Sequence, residues 1–254
     1  MLYLVATPIG NLGDWSQRAI ETVRSCQLVL CEDTRHSKRL LDHYDLQCPL
    51  GSYHMFNEAK RLESILERLR NGESIALLSD AGMPAIADPG QRLVAACHAE
   101  GVTVTCVPGA CALITALALT GWEWERFQFI GFMPRTSGAR QQCLEEVFAY
   151  PGVSIAYETP HRIGSTLQQL ASMGPCQCAV ARELTKQFEE LLVGTPDQLI
   201  PKVKPRGEMV LLISPAPTEA PEATDAAVRL LMEQFQLSDT QARRWALKLR
   251  KVRS

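Results

Sequence analysis

Three short, unbroken apolar runs divide the first half of the chain: Leu2–Ala6, Leu28–Cys31 and Ile75–Leu78. Each of the three is too short for a helix and lacks the polar alternation of a strand with one wet face, so each predicts a strand covered on both sides, and Val102–Val107 reads as a fourth strand. The segments between them repeat their apolar residues at helical spacing. Ala19, Ile20 and Val23 follow Ser16, a residue suited to an N-cap. Leu62, Ile65, Leu66 and Leu69 lie between Asn57 and Asn71-Gly72. Leu93, Val94 and Cys97 recur within Gln91–Glu100 before Gly101, and Leu113–Leu119 follows Pro108-Gly109. Strand and helix in strict alternation predict a parallel sheet with helices on its faces.

A second unit opens near Phe127. Phe127–Gly131, Val153–Tyr157, Cys178–Ala181 and Met209–Ile213 read as strands. Cys143, Leu144, Val147 and Phe148, and then Leu167, Leu170 and Ala171, mark helices between them. The expected organisation is an α/β domain over residues 1–121, a second α/β domain over 122–214, and a linker with a basic helical tail over 215–254. Pro215–Ala223 is the linker. Ser238 with Gln241 forms a capping-box pattern ahead of Arg243, Arg244, Lys248, Arg250, Lys251 and Arg253, an end that grips phosphate in some proteins and is a solvated face in others.

The turns after the strands locate the chemistry. Ser74–Gly90 runs from a buried strand into Ser79, Asp80, Gly82, Pro84 and Asp88-Pro89-Gly90, small or turn-forming types that let main-chain groups lie close to a ligand. Ligands of open α/β sheets sit beyond the carboxyl ends of strands, so this loop is the expected floor of a site; the alternative is an ordinary strand-to-helix turn. No GxGxxG follows the first strand, no Walker A sequence is present and no GxSxG elbow occurs, which removes support for a nicotinamide enzyme, a P-loop NTPase and an α/β-hydrolase. What remains suits a ligand held by main-chain groups and apolar contacts.

A net charge of −2 argues against a general nucleic-acid coat protein without excluding local basic patches. The nine cysteines are scattered, contain no CxxC and do not cluster with histidine, so buried reduced thiols and no metal are expected. No apolar run approaches the roughly 20 residues needed to span a bilayer, and the expected location is the cytoplasm.

Taken together, Thr7-Pro8-Ile9-Gly10-Asn11-Leu12, Glu32-Asp33-Thr34-Arg35-His36, Ser79-Asp80-Ala81-Gly82-Met83-Pro84, Asp88-Pro89-Gly90, Pro108-Gly109, Tyr157-Glu158-Thr159-Pro160-His161-Arg162 and Ala181-Arg182-Glu183-Leu184-Thr185-Lys186 resemble, in order, the signature set of the small-subunit ribosomal RNA methyltransferases of the tetrapyrrole-methylase superfamily. That resemblance implies two α/β domains of the class III methyltransferase type with S-adenosyl-L-methionine in the cleft between them. It also implies a homodimer, and methylation of the ribose 2′-hydroxyl of a cytidine in the decoding centre of 16S rRNA. Carried over by position, it assigns the cofactor pocket to Pro8, Ser79, Asp80, Gly82, Met83, Ile86, Ala112, Phe132 and Tyr157. Ala110 and Cys111 stand where relatives tend to have Pro and Ser, which removes a side-chain hydroxyl from that turn.

Methyl transfer from a sulfonium mainly requires alignment of oxygen, carbon and sulfur, and alignment alone is worth on the order of 7–11 kcal/mol. The ribose hydroxyl is a weak acid and gains from a positioned acceptor. Asp33, His36, Asp88, Glu158 and His161 are the polar candidates at strand ends, with Asp33, His36 and Glu158 taken as catalytic. Asp33 beside Arg35, and Glu158 near Arg162, are equally readable as structural ion pairs, and Asp88 as a helix-start residue. Arg35, Arg135, Arg162, Arg182 and Lys186, with Arg140, fall in loops after strands and form an expected phosphate track for the 16S rRNA of the small ribosomal subunit. The competing readings are a methyltransferase of the same fold acting on a small tetrapyrrole, and a ribosome-binding assembly factor without turnover.

Overall fold

The computed structural model describes residues 1–215 and, beyond them, Met232, Phe235, Ser238 and Ala242. Most of the expected linker and basic tail, including Gln241 and all six basic residues from Arg243 to Arg253, lies outside the described residues.

The first half contains β1 (Leu2–Val5), α1 (Gln17–Ser25), β2 (Leu28–Cys31), α2 (Thr34–His43), β3 (Leu50–Ser52), α3 (Glu58–Arg70), β4 (Ile75–Leu78), α4 (Gln91–Ala99), β5 (Val104–Val107) and α5 (Ala112–Leu119). Its five strands are all parallel, in the order β3-β2-β4-β1-β5. Every residue of β2 and β4 is buried. The period of two sorts them between two cores. Val29, Cys31, Ala76 and Leu78 face Ala19, Ile20, Val23, Leu40 and Leu41 of α1 and α2. Leu28, Leu30, Ile75 and Leu77 face Ile65, Leu66, Leu69, Leu93 and Cys97 of α3 and α4.

The second half contains β6 (Phe127–Phe132), α6 (Ser137–Ala149), β7 (Val153–Glu158), α7 (Pro160–Met173), β8 (Cys176–Arg182), β9 (Glu190–Gly194), α8 (Pro196–Leu199) and β10 (Met209–Pro215). The sheet order is β6-β7-β10-β8-β9, with β6 parallel to β7 and the remaining pairs antiparallel. On β10 the alternation again splits the core. Met209, Leu211 and Ile213 pack with Leu144, Ile163 and Leu167 of α6 and α7. Val210 and Leu212 face the other way, onto Leu113, Ala116 and Leu117 of α5.

That last contact joins the halves. α5, Ala-Leu-Ile-Thr-Ala-Leu-Ala-Leu, has no charged face; it follows the edge strand of the first sheet yet covers the second. A fully buried leucine is worth roughly 1.5–3 kcal/mol, so Leu113 and Leu117 alone make this joint a substantial part of the fold. Among the described residues no helix is long and apolar enough to cross a membrane.

Four elements depart from the sequence expectation. α2 grows out of the turn expected to end β2. Its apolar content is limited to Leu40 and Leu41, and its start is set by a cap, Asp33 Oδ1 accepting from the Arg35 N–H at 2.8 Å. β3 is three residues long and contains Gly51. β9 and α8 are short and follow the loop that was expected to carry cations.

Candidate functional site

The carboxyl ends of β1 and β4 are stitched together. Thr7 N donates to the Gly82 carbonyl at 2.9 Å, Gly82 N donates back at 3.1 Å, and Thr7 Oγ1 donates to the Ser79 carbonyl at 3.0 Å. Gly82 takes φ +81°, and Gly90, at φ +141°, lies so close to β4 that a Cβ there would sit 2.7 Å from Leu77 Cδ2. Only glycine fits either position without movement. Ser79 is buried beneath the loop; its hydroxyl donates to Asp88 Oδ2 and accepts from Ala81 N at 3.3 Å.

The second half supplies the facing wall. Phe132 and Tyr157 rings stack edge to face with centroids 5.4 Å apart. Leu184 enters from a loop in which Glu183 and Thr185 both adopt left-handed φ, at 51° and 64°. Lys186 holds that loop, donating to Glu183 at 3.0 Å and to Glu208 at 2.7 Å.

Between the walls is a cavity of about 440 Å³. Of the residues assigned to a cofactor pocket, Asp80, Gly82, Met83, Ile86 and Ala112 line it from the first half and Phe132 and Tyr157 from the second. Pro8 and Ser79 are not in the walls; Ile9 lines the cavity beside Pro8, and Ser79 stands behind as support. The ionisable side chains in the walls are Glu32, Asp80, Asp88, Glu158, Glu208, Cys111 and Tyr157, with no Lys, Arg or His among them. Glu32, Asp80 and Asp88 have no cationic partner among the described residues.

The three expected catalytic groups separate. Asp33 sits beside the cavity with both oxygens on Arg35, at 3.1 Å to Nε and 2.8 Å to Nη2. These bonds hold its carboxyl well below the usual range. His36 is exposed on α2, away from the walls, as is His161 on α7. Glu158 lines the cavity, but its buried carboxylate accepts from Thr159 N at 2.7 Å, Thr166 Oγ1 at 2.6 Å and Arg162 Nη2 at 2.8 Å. Asp88 does not cap α4, whose N-cap is Gly90; it bonds Ser79 and faces the cavity. Burial raises its carboxyl pKa, and burial with the charges of Asp88 and Asp80 does the same for Glu32.

The expected phosphate track is also thinner than the sequence suggests. Arg182 is buried and bonded to Glu190 at 3.0 Å. Arg162 is spent on Glu158, Thr159 and the Met133 carbonyl, and Lys186 on its two glutamates. Arg140 is buried and donates to Gln169 at 2.7 Å. Arg35 and Arg135 remain exposed.

The match to the family model for tetrapyrrole (corrin/porphyrin) methylases runs over residues 1–200. The chain belongs to this family. Within the tetrapyrrole methylases it is 44% identical over 216 residues to a Halalkalibacterium halodurans protein named ribosomal RNA small subunit methyltransferase I, covering 84% of this chain and 75% of that one. It is 46% identical over 222 residues to a Xylella fastidiosa protein of the same name, covering 85% and 81%. The solved structure of a diphthine synthase, at 13% identity and a TM-score of 0.65, covers 84% of this chain and 88% of that one and shows the same fold. The family expected from the turns is therefore the one to which the chain belongs, and its α/β class is the observed one.

Burial pushes the Tyr157 phenol, like that of the fully buried Tyr53, up to about 12 from an ordinary 10. Both are expected to ionise late in an absorbance titration, and Tyr157→Phe should remove one late step. The folded state favours the neutral phenols, so their contribution to stability is complete below pH 10 and is lost as pH rises from 10 towards 12.

Proposed function

We propose that this chain transfers the methyl group of S-adenosylmethionine to the ribose 2′-hydroxyl of a cytidine in the decoding centre of 16S rRNA. In this reading it acts as a cytoplasmic homodimer whose units, residues 1–121 and 122–214, hold the donor between them. The observation that carries the reading is the sign of the cavity: its walls hold carboxylates and no cationic side chain. A sulfonium donor with a free amino group is a cation, and uncompensated carboxylates in a half-enclosed site attract a cation more strongly than they do in water. Phe132, Ile86 and Leu184 offer apolar contact for its uncharged part, so the residues present fit the group.

When bound, the donor supplies an electrophilic methyl carbon with a neutral thioether as leaving group. The chain's part is to align and to exclude water. The Thr7–Gly82 pairing fixes the floor, Phe132 and Tyr157 cover it, and peptide groups of Ala81 and Gly82 lie at the wall. The naming of its relatives supports ribosomal RNA as the acceptor. Arg35 and Arg135, one exposed on each half, are the side chains best placed to meet phosphate.

The test is to incubate the protein with methyl-labelled S-adenosylmethionine and small ribosomal subunits, naked 16S rRNA or a bare tetrapyrrole. Label should appear on a cytidine of the rRNA in an alkali-resistant linkage, the mark of a blocked 2′-oxygen. Arg35→Ala and Arg135→Ala should weaken acceptor binding, more so at higher salt. Label on the tetrapyrrole alone would overturn the assignment, and tight subunit binding without label would indicate an assembly factor.

A further inference from the structure

Six carboxylates stand in or beside the cavity, and the fold already employs five. Asp33 is held by Arg35. Asp80 Oδ1 accepts from the Asp33 N–H at 3.3 Å, and Asp88 accepts from Ser79. Glu158 serves Thr159, Thr166 and Arg162. Glu208 takes Lys186. Glu32 is the exception: it lines the cavity, yet among the described residues its side chain accepts no hydrogen bond and forms no ion pair.

Its main chain, by contrast, is clamped on both sides. The Cys31 carbonyl, at the end of the fully buried β2, accepts from Tyr53 N at 2.7 Å, and the Asp33 N–H is fixed on Asp80. A carboxylate with a held backbone and idle oxygens, on a residue lining the cavity, is arranged to receive a proton. We infer that Glu32 is the acceptor of the proton that leaves the hydroxyl being methylated. This rests on the proposed methyl transfer.

The step balances as follows: the hydroxyl proton passes to a Glu32 oxygen, and an oxygen lone pair forms the new bond to the methyl carbon. The carbon–sulfur pair leaves with sulfur, turning the sulfonium into a neutral thioether. Burial and the neighbouring charges of Asp88 and Asp80 raise the affinity of Glu32 for a proton, which suits an acceptor facing so weak an acid.

The test compares full-length wild type with Glu32→Gln and Glu32→Asp in three measurements: thermal unfolding, calorimetric affinity for S-adenosylmethionine, and single-turnover methyl transfer to small ribosomal subunits. Glu32→Gln should melt as wild type does and bind the donor within about tenfold, since Asp80 and Asp88 keep the cavity acidic. It should transfer methyl about 10²- to 10⁴-fold more slowly, with Glu32→Asp recovering part of the rate. Transfer by Glu32→Gln at the wild-type rate overturns the assignment. So does a fall in donor affinity as large as the fall in rate, which would make Glu32 a donor ligand. A collapse of the fold in Glu32→Gln would contradict the premise that the structure leaves this carboxylate idle. All three outcomes leave the methyl-transfer reading standing. A wild type that binds donor and subunits but moves no methyl group removes that reading and the role of Glu32 together.

Discussion

Replacing Glu158 with alanine is expected to lower the free energy of unfolding by about 3–5 kcal/mol, the range for deleting one partner of a buried pair. The side chain of Glu158 is wholly buried, that of Arg162 is 20% exposed, and Thr166 is buried with its hydroxyl donated to the same carboxylate. Alanine therefore leaves a largely desolvated guanidinium without its counter-charge, held only by the Thr159 hydroxyl and the Met133 carbonyl, and takes from the buried Thr166 hydroxyl its acceptor. Glu158→Gln, which keeps an acceptor oxygen, should cost less. Urea unfolding followed by circular dichroism reads both, with the slope against urea unchanged. A loss below about 1 kcal/mol for the alanine variant would show that the cluster is solvent-compensated and free for other work.

The strands of the first sheet were legible because burial on both faces leaves an unbroken apolar run, as in Leu28–Cys31 and Ile75–Leu78. The shorter elements were not. α2 depends on the cap at Asp33, and β3 on pairing with β2, neither of which leaves an apolar period. Arg182 shows how one residue of boundary alters a functional reading. β8 runs on to Arg182, so that side chain continues the inward face of Cys176, Cys178 and Val180 and meets Glu190 on β9 instead of solvent.

In the site, the floor could be read from glycine and proline placement, since Gly82 and Gly90 occupy conformations that side chains resist. The division of labour among the carboxylates could not. Whether a carboxylate is idle depends on what lies opposite in space: Ser79 for Asp88, nine residues away, and, among the described residues, no hydrogen-bond or ion-pair partner for Glu32. The facing wall was legible only in part. Phe132 and Tyr157 came from motif position, whereas Leu184 reaches the cavity through a loop with two left-handed residues, and Glu208 from the turn before β10, neither of which local sequence announces.

The second large effect concerns the donor. Ile86 and Phe132 are 49% and 57% exposed, stand on opposite walls of the cavity and make little contribution to either core, so their alanine variants should fold normally. Covering such a side chain with ligand is worth about 1.5–3 kcal/mol when complete, or roughly a factor of 10 to 100 in affinity. Phe132→Ala should lie towards the upper end of that range, and Ile86→Ala nearer tenfold.

Calorimetric titration of S-adenosylmethionine into the wild type and these two variants tests most directly whether both halves of the chain build one donor site. The account predicts one site per chain in the wild type and weaker binding when either wall is cut back. Folded wild-type protein that takes up no donor, with or without small ribosomal subunits, would contradict it, as would binding that neither substitution alters.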